Sequence, residues 1–404
     1  MTAHKWQFTN RFRRQAFGWR SATPIQRIKE AVAEIKKVSR KDKVLAGEGA
    51  VKLLEKLSPA LEQVDSSSGA LGTAVNKAIE SLVPIIAKAP VDARTRQQWL
   101  DRLWQALQDD DMPYIEQLGE HWGELCATPE LASTWADEFL PVLEHIWSTT
   151  ATSHEYFKGT TPCLASLYAA GRYEELLTLI DKAPFKWWHD RRWGVMALTA
   201  MGKKAEALGY AEESRGLNDP GWEIAQACEE ILLSSGLAQE AYRRYALEAN
   251  QRTTHLATFR AIAKKYPDRP REAILRDLIA SSPGAEGKWF AAAKDAGLFD
   301  VAADLAKKSP TDPRTLTRAA RDFAEKEPGF ALAAGLAALH WMSEGYGYEI
   351  TGADVLDAYT ALIAAAPGAG VAIDSINDQV REIIAKEQSG ATFLKSFLVH
   401  RLSD

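Results

Sequence analysis

AAGRYEEL, Ala169 to Leu176, is a short turn followed by the start of an amphipathic helix, and its pattern recurs along the chain. It returns as AMGKKAEAL around Gly202, SSGLAQEAY around Gly236, YPDRPREAI around Asp268, DAGLFDVAA around Gly297 and EPGFALAAG around Gly329. The separations are 31, 34, 32, 29 and 32 residues, a period that holds one pair of antiparallel helices. The glycine supplies the left-handed residue that closes the first helix of each pair. Small residues such as Ala207, Ala241 and Ala273 let the second helix approach closely. One such pair cannot bury its apolar face, so neighbours must stack. The expected fold is therefore all-α: a right-handed α-solenoid of antiparallel helix hairpins, tetratricopeptide-like in its period of about 29–34 residues, behind an N-terminal helical unit.

Outward from the repeats, almost every segment carries an apolar stripe at three- and four-residue spacing, as in Ala50-Leu53-Leu54-Leu57, Trp99-Leu103-Leu107 and Leu140-Leu143-Trp147. Helix starts are marked by Asp219-Pro220, Asp312-Pro313 and Thr351-Gly-Ala-Asp354, where a side-chain oxygen can accept from a first-turn amide. The run Asp65-Ser-Ser-Ser-Gly69 ends one helix and opens another. The polar run Ser148-Thr-Thr-Ala-Thr-Ser153 suggests a break between units. The expected organisation is a basic aromatic arm over residues 1–43, a helical domain over 44–150, the repeat solenoid over 151–365 and capping helices over 366–404.

The 404 residues are 46% hydrophobic and 25% charged, the composition of a folded globular chain. The net charge of −5 conceals +9 over residues 1–43 and −14 over the remainder. Neither a membrane-spanning run nor the apolar core of a secretory signal is apparent. The first 29 residues, Arg-rich and without an acid, also suit an organellar transit peptide. Cys126, Cys163 and Cys228 form neither a CxxC pair nor a disulfide framework, which fits a reducing compartment. A cytoplasmic location is expected.

The densest chemistry is FKWWHDRRW, Phe185 to Trp193, at the start of the first helix of the Gly202 hairpin. Helical spacing sets Trp187 over Arg191 and Trp188 over Arg192. In one reading the tryptophans fill the gap between hairpins and the arginines cover them. In the other, Lys186, Trp187, Trp188, Arg191, Arg192 and Trp193 anchor a protein or peptide partner, Trp and Arg being enriched at interface hot spots. The arm interleaves Trp6, Phe8, Phe12, Phe17 and Trp19 with basic residues. Arg11, Arg13, Arg14, Trp19, Arg20, Lys36, Lys37 and Arg40 are candidates for contacts with single-stranded nucleic acid, since cations neutralise phosphates and aromatics stack on bases. The alternatives are a contact with a protein, such as the acidic body of this or another copy, and a structural arm whose aromatics pack inward.

Asp109-Asp110-Asp111 lacks the spaced ligands of a calcium loop and reads as a solvated turn. His121 and Glu124 share a helix face without a matching Glu-x-x-His elsewhere. GYGYEITG, Gly345 to Gly352, lacks a Walker lysine, and Tyr346 and Tyr348 are expected to plug a hairpin end. No GxSxG, HExxH or Cys/His nucleophile pattern is present, so no metal, cofactor or catalytic residue is assigned and the balance leans away from an enzyme. The expected role is a helical-repeat adaptor holding a protein or peptide. The first alternative is a nucleic-acid-binding protein using the arm. The second is a helical-repeat enzyme acting on nucleic acid, with Trp187, Trp188 and Asp190 holding a base. Oligomeric state is left open.

The phrases SPALEQVDSSSGALGTAV (Ser58 to Val75), FKWWHDRRW, ESRGLNDP (Glu213 to Pro220) and GYGYEITGADVL (Gly345 to Leu356) resemble those of an uncharacterised family of bacterial helical-repeat proteins. The resemblance implies a bacterial, cytoplasmic, all-helical protein and transfers no site residue.

Overall fold

The structure is a computed structural model and describes residues 4–148, 156–216, 220–386 and 393–402. Its regular structure is helical throughout, with no strand among the described residues. Tertiary contacts divide the chain into two compact units, residues 1–220 and 221–404. The break expected near residue 150 falls within residues 149–155, outside the described part, and the contact division lies at Pro220.

The first unit contains α1 (Ala22–Ser39), α2 (Lys43–Leu61), α3 (Ala70–Ala87), α4 (Ala93–Gln108), α5 (Trp122–Cys126), α6 (Pro129–Ser148), α7 (Thr160–Ala169), α8 (Tyr173–Asp181), α9 (Trp188–Ala200) and α10 (Lys204–Glu212). Helices α1, α2 and α3 pack on one another, α5 packs on α3, α6 and α7, and α9 packs on α7, α8 and α10. One hydrophobic core runs from Trp6 to Ala197. At its centre Trp122 is fully buried, with Trp135 edge-on at 5.2 Å and Phe139 at 6.2 Å. Such aromatic pairs add about 0.5–1.5 kcal/mol beyond the area they bury. Helix α3 is long and apolar enough by length and composition to cross a membrane. Its Leu71, Val75, Ile79, Leu82, Val83 and Ile86 are instead buried in this core.

The arm belongs to the same core. Trp6, Phe8, Phe12 and Phe17 are buried, and the arm is a short 3-10 turn, Gln7–Asn10, with irregular chain before α1. Gly49 permits this docking: a Cβ there would collide with the Trp6 indole. Of the arm's aromatic side chains, Trp19 alone is strongly exposed, at 72%.

The second unit contains α11 (Gly221–Leu233), α12 (Ala238–Ala249), α13 (His255–Lys265), α14 (Arg271–Ala280), α15 (Phe290–Asp295), α16 (Phe299–Lys308), α17 (Pro313–Phe323), α18 (Pro328–Ser343), α19 (Gly352–Ala365), α20 (Ile373–Ala385) and α21 (Phe393–Leu398). Consecutive helices pack in α11–α12, α15–α16 and α17–α18, and helices two apart pack in α13–α15, α16–α18 and α17–α19. The fully buried Glu229 accepts from Asn250 Nδ2 at 2.8 Å, from the Tyr266 hydroxyl at 2.6 Å and from Lys265. Asp312 caps α17 through the Thr315 amide, and Thr351 with Asp354 forms the capping box of α19, as their spacing implied. Asp219 lies outside the described residues.

The repeat turns share one geometry. Gly171, Gly202, Gly236 and Gly297 have φ of 74°, 78°, 74° and 76°. After each, the next amide donates to the carbonyl five residues back at 2.9–3.0 Å: Arg172 to Leu167, Lys203 to Leu198, Leu237 to Leu232 and Leu298 to Ala293. This is the bond that satisfies orphan carbonyls at a helix end. The same bond follows Gly345 and Gly370, outside the recurring phrases. Gly329, placed in register by the sequence, is no such turn. It lies in the first turn of α18, because Pro328 fits the helix start and commits the chain to helix there. The Asp268 phrase uses Pro270 before α14 rather than a left-handed residue.

Two smaller expectations fail. Asp110 is not solvated: it is buried and accepts from the Tyr114 and Ile115 amides at 3.3 and 2.8 Å, closing the loop after α4. Tyr348 plugs nothing and is 79% exposed, because Gly345 and Gly347 at positive φ turn the loop outward. Tyr346 meets Trp341 edge-on at 5.3 Å.

Candidate functional site

The FKWWHDRRW segment divides between core and surface. The N-cap of α9, Trp187, is extended, with φ −70° and ψ 139°. Phe185 and Trp187 flank Lys186 just ahead of the helix. Their rings stack with centroids 5.0 Å apart and an interplanar angle of 11°. Trp187 is 58% exposed, and Lys186 between them is also exposed.

Once the helix begins, the spacing changes and the side chains turn inward. Trp188, Arg191 and Trp193 are buried. Arg191 does not lie against Trp187, contrary to the i,i+4 expectation. Its guanidinium sits 3.7 Å from the centroid of the Tyr210 ring on α10, and its Nε donates to Ser214 Oγ at 2.6 Å. Gly194 makes that approach feasible, since a Cβ there would lie 2.8 Å from the Tyr210 ring. Arg192 lies near Trp193, at 5.6 Å from its ring, rather than under Trp188, and pairs with Glu120 at 2.8 Å. Trp193 enters the core beside Tyr168 at 5.9 Å. Of the six candidate anchors only Lys186 and Trp187 are well exposed, with Arg192 half-buried.

Beside the Phe185–Trp187 stack lies a cavity of about 280 Å³ within the first unit. Trp147, Tyr156, Phe157, Phe185 and Trp187 give it aromatic walls, and Asp110, Glu116 and Asp190 give it carboxylates. Its one lysine, Lys158, is committed elsewhere: Nζ donates to the carbonyls of Leu107, Gln108 and Asp110 at 3.0, 2.9 and 2.7 Å and caps the end of α4. The Tyr156 hydroxyl donates to Glu116 at 2.6 Å. His189 Nε2 lies 3.0 Å from Thr161 Oγ1.

Asp190 differs from the other two carboxylates. It is 7% exposed, lines the cavity, and no described group hydrogen-bonds its carboxylate. Burial raises its pKa, opposed by the positive charges of His189 and Arg192. Asp110 is raised by burial too, but its backbone amide partners work against the shift.

The arm's candidates are all exposed, and several are engaged. Arg11 pairs with Glu30 at 2.8 Å, Arg14 with Glu62 at 3.2 Å, and Lys36 donates to Ser81 at 3.0 Å. Arg13, Trp19, Arg20, Lys37 and Arg40 project from the surface. The aromatic residues that would have alternated with them as a stacking platform are in the core.

Of the residues singled out in the sequence, Trp187 and Asp190 line this cavity, whereas Phe185, Glu116, Trp147 and Tyr156, which also line it, were not singled out as site residues. The alternation Phe185-x-Trp187 ahead of a helix start was the one available signal, and the remainder arrive from segments 30 or more residues away. No group of three His, Cys, Asp or Glu among the described residues is placed to hold a metal ion. The three cysteines are buried and none is in a disulfide, and burial pushes the Cys126 and Cys163 thiols up to about 12. Compared with known proteins, the chain matches no family model and no curated relative.

Proposed function

We propose that this chain is a non-enzymatic helical scaffold that holds a segment of a protein partner at the cavity beside Phe185 and Trp187. In this reading the Gly-turn helix pairs are repeats of one stacked hairpin, a solenoid arrangement that offers a long surface for a partner. Support comes from the identical turns at Gly171, Gly202, Gly236 and Gly297 and from the packing of helices two apart. The observation that carries the reading is the stacked, exposed Phe185–Trp187 pair beside a cavity lined by the mostly buried Asp190. A large exposed aromatic pair over a preformed cavity is the anchor type that dominates interface energetics.

The test is capture of partners from a lysate of the source organism by the tagged protein and by Trp187→Ala, with nuclease added throughout. A defined protein that the wild type retains and the variant loses supports the scaffold. Capture unaffected by Trp187→Ala removes this site. Retention of nucleic acid alone, lost in an Arg13→Glu/Arg20→Glu variant, would transfer the function to the arm.

A further inference from the structure

The Asp190 side chain is mostly buried, lines the cavity and accepts no hydrogen bond among the described residues, so its carboxylate is open to a donor that enters the cavity.

The lining defines its chemistry. Three carboxylates, Asp110, Glu116 and Asp190, line the space together with His189 and with Lys158, whose ammonium is spent on three carbonyls. The carboxylates favour a cation over an anion there. The aromatic walls present ring faces, which attract cations. At about 280 Å³ the space lies just below the roughly 300–1,000 Å³ typical of small-molecule pockets, so it suits one side chain better than a nucleotide. A guanidinium fits all three features: it is planar, stacks on aromatic faces, sheds water more readily than an ammonium and presents paired donors to a carboxylate.

We infer that the cavity is an arginine pocket: an arginine side chain of the partner's segment enters between the aromatic walls, with its guanidinium donating to Asp190 and its edge toward Glu116. This rests on the scaffold reading for the source of the arginine. Trp187 covers the aliphatic stem.

The experiment uses the full chain labelled with 15N-tryptophan, with the Trp187 indole resonance assigned by Trp187→Phe. N-acetyl-arginine amide is titrated against its neutral isostere N-acetyl-citrulline amide and against N-acetyl-lysine amide. The expected result is a saturable shift of the Trp187 signal with the arginine probe and at least about tenfold weaker binding of the other two, as for loss of one charge-assisted hydrogen bond. Asp190→Asn, checked for an unchanged tryptophan spectrum, weakens the arginine probe by a similar factor, and Glu116→Gln gives a second, surface-facing variant that should weaken it too. No saturable shift up to the solubility of the probe overturns the inference. So does citrulline or lysine binding as tightly as arginine, or a single-stranded oligonucleotide shifting Trp187 where arginine does not. The two readings fail separately: partner capture that depends on Trp187 without arginine binding leaves the scaffold and removes the arginine, whereas arginine binding without Trp187-dependent capture does the reverse.

Discussion

Asp190 and Arg191 are adjacent, both buried and both charged, yet they do opposite things. Arg191 is satisfied within the fold by Ser214, the Tyr210 carbonyl and the Tyr210 ring. Removing it leaves those groups without their donor, so Arg191→Ala should destabilise the first unit by about 1.5–3 kcal/mol, the range for hydrogen bonds to a charged group. Trp187→Ala should change stability by less than about 0.5 kcal/mol, as for an exposed side chain. Urea unfolding followed by circular dichroism separates the two, and equal losses would contradict this division of labour. Asp190 has no such partners, and burial holds its pKa above the ordinary carboxylate value, with His189 and Arg192 acting against the rise and Glu116 and Asp110 facing it across the cavity. An acid raised in the folded state costs nothing while protonated in both states. As pH rises through its ordinary and then its raised value, the folded state loses stability relative to the unfolded. Asp190→Asn should therefore be more stable than wild type at pH 7, by about 1 kcal/mol, with the gap closing below about pH 4 where the wild-type carboxyl is protonated. Thermal melts of both proteins at the two pH values test the sign. A variant less stable than wild type at neutral pH would mean that the carboxylate is satisfied in the free protein.

Among the elements, the N-terminal arm shows where sequence ends as a guide. Its aromatic and basic residues admitted nucleic-acid, protein-contact and structural readings, because the deciding group is not in the arm. It is Gly49 on α2, whose missing Cβ leaves room for the Trp6 indole. Gly49→Ala should cost about 1–3 kcal/mol by overpacking and loosen the arm, seen as faster proteolysis ahead of α1. A variant as stable and as protease-resistant as wild type would show that the arm docks by other contacts. Removing the whole arm is a poor test of nucleic-acid binding for the same reason: it strips Phe8 and Phe12 from the core along with the charges. Elsewhere the elements were legible where local physics leaves one choice. Apolar stripes at three and four residues match buried faces such as Leu53, Leu54 and Leu57, and left-handed turns reveal themselves because glycine alone enters them cheaply. Gly329 misled because proline before it makes a helix start, and a glycine's spacing cannot distinguish the two roles. The faces of α9 were misread because Tyr210, from the next helix, competes for Arg191.

For the molecule as a whole, a contact boundary at Pro220 has a consequence for where binding resides. Every side chain of the proposed arginine pocket, from Leu107 to Asp190, lies before that boundary, and the core around it runs from Trp6 to Ala197 without recruiting later residues. The second unit has its own aromatic cluster, in which Phe330 lies 5.9 Å from Phe290, 5.1 Å from Phe299 and 5.5 Å from Phe323, together with its own buried charge at Glu229. Both units fall within the size at which a single hydrophobic core sustains a domain, roughly 50–250 residues. Fragments 1–220 and 221–404 should each be helical and unfold cooperatively. The first alone should reproduce the wild-type titration of the Trp187 indole by the arginine probe, within about twofold. That expectation follows from the pocket's walls being fixed by α4, α6 and α9 of one unit, whose positions depend on contacts within it. A first fragment that melts without cooperativity would show that its core needs residues beyond 220. A fragment that folds cooperatively but binds the probe much more weakly would mean instead that the second unit contributes to the site, and the partner's contacts would then have to be sought on both.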